Sequence, residues 1–206
     1  MVGGILLDLC LNSDEIGAVT HFSRKSSGRE HNKLTELTGI DLNNLPENAA
    51  SYTDIDCVFF CIGVYTGAVP REQFRQITVD YPMAIAERIK KHSPHAVYCL
   101  LSGQGADRSE KSRMAFAKDK GIVENRLSAM GLGRFHTFRP AYIYPVEKRK
   151  EPNLSYRISR RLYPLIKVFG KNASVKSTEL AQAMFNVALS DSTQEVFENK
   201  EILDQA

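Results

Sequence analysis

Residues 98–145 contain three diagnostic segments: Tyr98-Cys-Leu-Leu-Ser102, Phe116-Ala-Lys-Asp-Lys120-Gly121 and Phe138-Arg-Pro-Ala-Tyr-Ile-Tyr-Pro145. The first is apolar and typical of the end of a buried strand. The second lies in a helical pattern over 112–130, which ends at the helix-stopping Gly131-Leu-Gly133. Because the third follows a further strand pattern at 134–138, the order predicts parallel strands joined by a helix.

The same alternation extends along almost the whole chain. Two more strands are predicted at Ala18-Val-Thr-His-Phe-Ser23 and Asp56-Cys-Val-Phe-Phe-Cys-Ile62. A helix starting near Pro70 presents apolar residues at helical spacing: Phe74, Ile77, Tyr81, Ala84, Ile85 and Ile89. Strands separated by such helices predict an α/β fold, a doubly wound parallel sheet covered on both faces. With 206 residues, 43% of them hydrophobic, the chain is expected to form a single domain over 1–206.

Composition excludes several classes of function. The 27 basic and 24 acidic residues nearly balance, which argues against nucleic-acid binding. No apolar run approaches the length that spans a bilayer, and no signal-type segment follows Met1, so no membrane contact is expected. The four cysteines and five histidines lack metal-ligand spacing, which predicts reduced thiols, no metal and a cytoplasmic location.

The C-terminal part differs from the rest. The charged segment Glu147-Lys-Arg-Lys-Glu-Pro152 precedes a basic amphipathic pattern over 154–169, and we expect residues 145–175 to form a small lid or substrate subdomain. An interaction surface for acidic partners is a weaker alternative. Ser177 is predicted as the N-cap of a helix through Ala188, and a last strand is expected near Val196.

The N-terminal segment is unusual for a nucleotide-binding sheet. Such a fold opens with a strand and a Gly-rich turn, and its first strand is central. Here Ile5-Leu-Leu-Asp-Leu-Cys-Leu11 looks helical, and no complete G-x-G-x-x-G is present. We expect that the central strand and Gly-rich loop are missing, with Gly3 at the place of the last glycine. The strands near Val19 and Val58 should then lie roughly 10 Å apart rather than pair directly. The alternative is a different fold.

Two positions in the diagnostic segments suggest chemistry. Ser102, at a strand end, is a candidate partner for a substrate carbonyl oxygen. Phe116 and Lys120 are one helical turn apart and share a helix face.

These features together resemble the atypical short-chain dehydrogenase/reductases, specifically the group of the Tat-interacting, oxidoreductase-like proteins, which have a Rossmann-like fold. The matching segments cover nearly the whole chain: Phe22–Lys25, Gly39–Leu42, Asp56–Gly63, Val79–Tyr81, Leu100–Asp107, Lys120–Glu124, Phe138–Pro140 and Glu198–Ile202. The resemblance implies a nicotinamide nucleotide as cofactor and a small-molecule substrate. It places a tyrosine at position 116, which holds phenylalanine and cannot transfer a proton.

The resemblance also implies the cofactor contacts. Arg24 and Lys25 would pair with a 2′-phosphate, which favours NADP over NAD. Asp41 and Leu42 would contact the adenine, and Gly63 would let the protein backbone approach the cofactor closely. Lys120 would bind the ribose, and Pro140 would form a wall beside the nicotinamide. Each position also has an ordinary structural explanation, as a surface charge, a turn former, a strand end or a packing residue.

Two interpretations of function therefore stay open. The first is an NADPH-dependent reductase acting on a small carbonyl compound through Ser102 and Lys120. The second is a non-catalytic, nucleotide-sensing or partner-binding protein, with a protein partner or a homodimer. Three other residues are considered in place of the missing tyrosine: Lys118, Tyr65 and Tyr144. Lys118 is a weak substitute because it points away from the site face, and Tyr65 has no lysine at the required spacing.

Overall fold

A computed structural model describes residues 1–46, 49–146 and 173–206. The helices are α1 (Val2–Asn12), α2 (Arg71–Arg75), α3 (Tyr81–His92), α4 (Ala115–Ala129), α5 (Ser177–Leu189) and α6 (Asn199–Asp204), with a 3-10 turn at Ala49–Ser51 and a π turn at Gln76–Asp80. The strands are β1 (Val19–Ser23), β2 (Leu34–Thr38), β3 (Cys57–Phe60), β4 (Val97–Leu101), β5 (Arg134–Arg139), β6 (Tyr142–Tyr144), β7 (Ser174–Lys176) and β8 (Val196–Glu198).

The main sheet has four parallel strands in the order β3-β4-β5-β8. In β4, Val97 and Cys99 face a core formed with α1, α5 and α6. The intervening Tyr98 and Leu100 face a second core formed with α3 and α4. Because side chains alternate across a strand, this pattern places helices on both faces of the sheet. Burial of each large apolar side chain contributes about 1.5–3 kcal/mol. The predicted doubly wound α/β class is confirmed.

Two strands form a separate parallel sheet. The predicted strand β1 pairs with β2, whereas β3 pairs with β4, and β1 and β3 are not hydrogen-bonded to each other. Direct pairing of β1 with β3 is therefore excluded, as predicted. Within the described residues, no strand joins the two sheets, and α1 packs across both β1 and β3.

The helical stretch after Pro70 is interrupted once. Pro70 is the N-cap of α2, and the π turn separates α2 from α3. Pro82 lies in the first turn of α3, where its ring cannot donate a hydrogen bond to the preceding turn and crowds that turn's carbonyl. A wider π turn just before a proline relieves this crowding.

The C-terminal prediction needs one correction. Ser177 is the first residue of α5 rather than its N-cap, which is Lys176. The backbone N–H of Lys176 donates to the Glu179 carboxylate (2.9 Å), so this acid caps the helix start, while the Ser177 hydroxyl accepts from the Val146 N–H (3.2 Å). β8 is the expected last strand.

Strands β6 and β7 pair in parallel on either side of residues 147–172. The charged segment at 147–152 and the basic pattern at 154–169 fall in that interval. The predicted small subdomain therefore lies largely outside the described residues.

Candidate functional site

The carboxyl ends of β3 and β4 meet at one edge of the main sheet, because the two strands are parallel neighbours. This edge is where open α/β sheets bind ligands. A cavity of about 40 Å³ lies there. It is lined by Phe60, Ile62, Gly63, Val64, Phe74, Thr78, Leu100, Leu101, Ser102, Lys120 and Val123. Three of the predicted site residues, Gly63, Ser102 and Lys120, are thus brought together.

Lys120 reaches the cavity from the second turn of α4. Its amine lies against the loop after β4, since a Cβ on Gly103 would stand 3.3 Å from Nζ. Burial lowers the pKa of Lys120 to about 8, partly opposed by the negative charge of Glu124 one turn later. Nζ makes no hydrogen bond or ion pair with a described residue. The lysine therefore presents an unengaged amine to the cavity.

Ser102 makes a contact that the sequence did not predict. Its hydroxyl donates to Oε1 of Glu124 at 2.6 Å, and Glu124 is fully buried. Although burial opposes ionisation, hydrogen bonds from Arg139 and Ser102 hold the pKa of Glu124 below its usual value. An ionised carboxylate only accepts hydrogen bonds, so the single Ser102 proton points at Glu124. In this geometry Ser102 offers lone pairs, not a proton, to the cavity.

Glu124 is the centre of a buried polar network. Arg108 donates to it through Nε (3.0 Å), Arg139 binds it through Nε and Nη2, and the Thr137 hydroxyl donates at 3.1 Å. Each arginine also binds a second carboxylate, Glu195 at 2.7 Å for Arg108 and Glu198 at 2.9 Å for Arg139. The network joins α4 to the ends of β4 and β5 and to the region of β8. Through Glu124, it fixes the orientation of the Ser102 hydroxyl group.

Sequence reasoning missed the role of Glu124. Glu124 is the last residue of the matching segment Lys120–Glu124, and the segment alone assigns it no role. One signal was available: Glu124 lies among Ile122, Val123 and Leu127 on α4, where a charge is buried only when partners satisfy it. Those partners could not be identified, because they come from distant segments.

Phe116 does not line the cavity. It lies in the first turn of α4, and its ring edge is 3.9 Å from where a Cβ on Gly105 would stand. The Phe116 ring contacts the turn after β4 at Gly105, as expected if this residue serves in packing rather than in catalysis. The other proton donors considered, Lys118, Tyr65 and Tyr144, are also absent from the lining.

A glycine in α4 sets the position of the loop after β4. A Cβ on Gly121 would overlap the carbonyl group of Asp107 and would stand 2.8 Å from the Arg108 nitrogen. Only glycine permits this approach, in which the Asp107 N–H donates to the Ala117 carbonyl at 2.9 Å. Gly121 thereby places Arg108 within reach of Glu124.

The predicted contacts with the cofactor phosphates lie near the start of α1 and the end of β1. A Cβ on Gly3 would stand 3.2 Å from Cys61, so Gly3 allows α1 to approach the end of β3 closely. Arg24 and Lys25 are exposed. Their loop is held by Glu36, and hydrogen bonds from Ser26 and Ser27 lower the pKa of this acid to about 2.

The remaining predicted contacts are spread more widely. Asp41 is exposed, and its carboxylate accepts from the Asn43 N–H at 2.9 Å, which is an ordinary turn contact. Leu42 packs against the core beside α3. Pro140 is buried, and its carbonyl accepts from the Gln104 N–H at 3.0 Å. Pro140 therefore ties the loop after β4 to the end of β5, close to the cavity.

The described residues contain no group of three or more metal-ligating side chains, and none of their helices is long and apolar enough to cross a membrane.

The fold and the position of the site define a Rossmann-like α/β protein with the architecture of the short-chain dehydrogenase/reductases and nucleotide-sugar epimerases. A putative NAD-dependent epimerase/dehydratase from Bacillus halodurans aligns with a TM-score of 0.68 at 14% identity, covering 100% of this chain and 95% of that one. A short chain dehydrogenase family protein from Francisella tularensis aligns with a TM-score of 0.66 at 13% identity, with the same coverage.

Particular relatives follow from the sequence. Protein HTATIP2 of Rattus norvegicus is 26% identical over 210 residues, covering 98% of this chain and 83% of that protein. Protein fmp52, mitochondrial, of Aspergillus clavatus is 26% identical over 157 residues, covering 74% of this chain and 66% of that protein. No protein-family model matches the chain. The resemblance expected from the sequence is therefore confirmed as a distant homology.

Proposed function

We propose that the chain is an NAD(P)-binding, short-chain dehydrogenase/reductase-like protein that takes NADPH and a small carbonyl compound. The observation that supports this function is the convergence of Gly63, Ser102 and Lys120 on one cavity at the carboxyl edge of the sheet. The similarity to HTATIP2 over almost the whole chain supports the same class.

Part of the site fits such a nucleotide, whereas the missing Gly-rich loop would weaken the hold on its pyrophosphate. The Lys120 ammonium can donate to ribose hydroxyls, and exposed Gly63 leaves room beside β3. Arg24 and Lys25 offer two cations at the loop after β1, where a 2′-phosphate would be recognised. When bound, the nucleotide supplies the hydride, and the protein supplies position and electrostatics.

A second candidate is a non-catalytic member that binds nucleotide or a protein partner. Two contacts favour it: Phe116 packs on Gly105 outside the cavity, and the Ser102 proton is held by Glu124. No hydroxyl of the predicted catalytic set then delivers a proton to a substrate. A partner protein or homodimer stays a prediction, as does the cytoplasmic location. The fmp52 relatives, which are named as mitochondrial, suggest comparing both compartments by cell fractionation.

Calorimetric titration with NADPH and NADH tests the proposal. A hydrogen bond to a charged group contributes about 1.5–3 kcal/mol, so Lys120→Ala should weaken NADPH binding by roughly 10-fold or more. Lys118→Ala, on the exposed side of the same helix, is the matched control and should leave affinity unchanged. NADPH should bind more tightly than NADH, and Arg24→Ala should reduce that preference. If neither nucleotide binds to the intact chain, the proposal is wrong.

A further inference from the structure

The cavity at the sheet edge has the composition of a carbonyl-binding pocket rather than of an ion site. Most of its lining residues have apolar side chains, and Ser102, Thr78 and Lys120 add polar atoms to the wall. Among the described lining residues, Lys120 is the titratable one. A lysine amine in such a cavity can act as a nucleophile, because desolvation favours its neutral form.

The surroundings of Lys120 leave its amine available. Nζ lies against Gly103, where no side chain intervenes. Glu124 does not form an ion pair with the lysine, since its carboxylate is occupied by Arg108, Arg139, Ser102 and Thr137. With the pKa of Lys120 lowered to about 8, roughly a quarter of the amine is neutral at pH 7.5, against about one part in a thousand for an ordinary lysine.

We propose that Lys120 reversibly binds a small aldehyde or ketone as a Schiff base within this cavity. The lone pair of neutral Nζ attacks the carbonyl carbon, a C–N bond forms as the carbonyl π bond breaks, and one Nζ proton moves to the oxygen, which gives a neutral carbinolamine. A proton from solvent then adds to the hydroxyl group, the C–O bond breaks with loss of water, and a protonated C=N bond remains. No oxidant or reductant is consumed in these steps.

The size of the cavity restricts the compound. A water molecule needs roughly 10–15 Å³ measured in the same way, so a cavity of about 40 Å³ holds about three. This space suits a carbonyl compound of three or four heavy atoms with an apolar tail against Phe60, Leu100 and Val123. The proposal does not rest on nucleotide binding, because the amine and the cavity belong to the chain itself.

Reductive trapping tests the proposal on the intact wild-type protein. Propanal and sodium cyanoborohydride are added at pH 7.5, and the propylated sites are mapped by peptide mass spectrometry. The hydride of the reagent reduces the C=N bond and makes the adduct permanent. Propylation of Lys120 should be at least 10-fold faster than that of exposed Lys118, two residues earlier in the same helix. Site-resolved detection is needed because exposed amines elsewhere on the protein also react.

A bulky aldehyde separates the cavity from the surface. Pivalaldehyde should modify Lys118 but modify Lys120 much less than propanal does. Equal rates at the two lysines with propanal, or equal labelling of Lys120 by both aldehydes, would overturn the proposal. The Lys118→Arg variant should retain the fast site, and Lys120→Arg should lose it. If NADPH is bound, it should slow labelling of Lys120 alone; fast labelling with no nucleotide binding would refute the proposed function and leave this inference standing.

Discussion

Gly121→Ala is the substitution for which the structure gives the clearest expected result. Alanine is normally better than glycine inside a helix by about 1 kcal/mol. At Gly121, however, the new Cβ would overlap the Asp107 carbonyl group and press on the Arg108 nitrogen. Because both are backbone atoms, the whole loop after β4 must move. Overpacking of this kind costs about 1–3 kcal/mol, and loss of the Asp107-to-Ala117 hydrogen bond adds about 0.5–1.5 kcal/mol.

The net effect should be a loss of about 2 kcal/mol in the free energy of unfolding. For a chain of this size, a loss of about 2 kcal/mol in the free energy of unfolding corresponds to a Tm lower by roughly 4–8 °C. Urea denaturation followed by circular dichroism, together with a thermal scan, measures both. Gly4→Ala in α1 is the matched control, since its Cβ would make an ordinary 3.7 Å contact with the Arg29 guanidinium. That variant should be stabilised by up to about 1 kcal/mol. A Gly121→Ala protein as stable as wild type would refute the described approach of the loop to α4.

Two further predictions concern the same site. Glu124→Gln should lower the free energy of unfolding by about 3 kcal/mol, because Arg108 and Arg139 lose a buried counter-charge. The pKa of Glu124 in the folded state lies below 4.5, so the stability that its charge contributes is present above pH 4.5 and is lost as pH falls through the folded pKa. Urea titrations of the variant should therefore show a weaker decline of stability in acid. An unchanged decline would contradict the role of Glu124 as a buried counter-charge. Phe116→Tyr should raise the rate of any NADPH-dependent reduction of a small aldehyde, measured by absorbance at neutral pH. Phe116→Leu should not raise this rate. If tyrosine gives no gain, the result favours the non-catalytic function.

Strands β3 and β4 of the main sheet could be predicted because their side chains are apolar on both faces. Asp56–Ile62 and His95–Leu101 are nearly continuous apolar runs, a pattern typical of parallel strands that are covered on both faces. Strand β2 was not predicted, since Leu34-Thr-Glu-Leu-Thr38 has a central acid and no apolar run. Strand β2 is held in place by its pairing with β1 and by the hydrogen bonds that Glu36 accepts from Ser26 and Ser27. Such contacts are not encoded in local periodicity.

The position of the site could be predicted, but its proton chemistry could not. Ser102 follows the carboxyl end of β4, and Lys120 lies in the second turn of α4, the helix that follows this strand, so the strand–helix order alone places both near one sheet edge. Which atom holds which proton depends on Glu124, whose partners Arg108 and Arg139 lie 16 and 15 residues away in sequence. A sequence pattern that records Ser102 and Lys120 as a pair therefore omits the residue that decides their roles.

This network changes what each of the two residues can do. A serine that faces a cavity alone can donate its proton to a developing oxyanion, but Ser102 already donates to an ionised, buried carboxylate. Turning the hydroxyl toward a substrate would remove one donor from Oε1 of Glu124, which would keep the hydrogen bonds from Thr137 and Arg139. Lys120 has no such commitment within the described residues, and its amine can exchange a proton near neutral pH. In the proposed site, Lys120 is therefore the candidate reactive group, and Ser102 and Glu124 are candidate positioning residues.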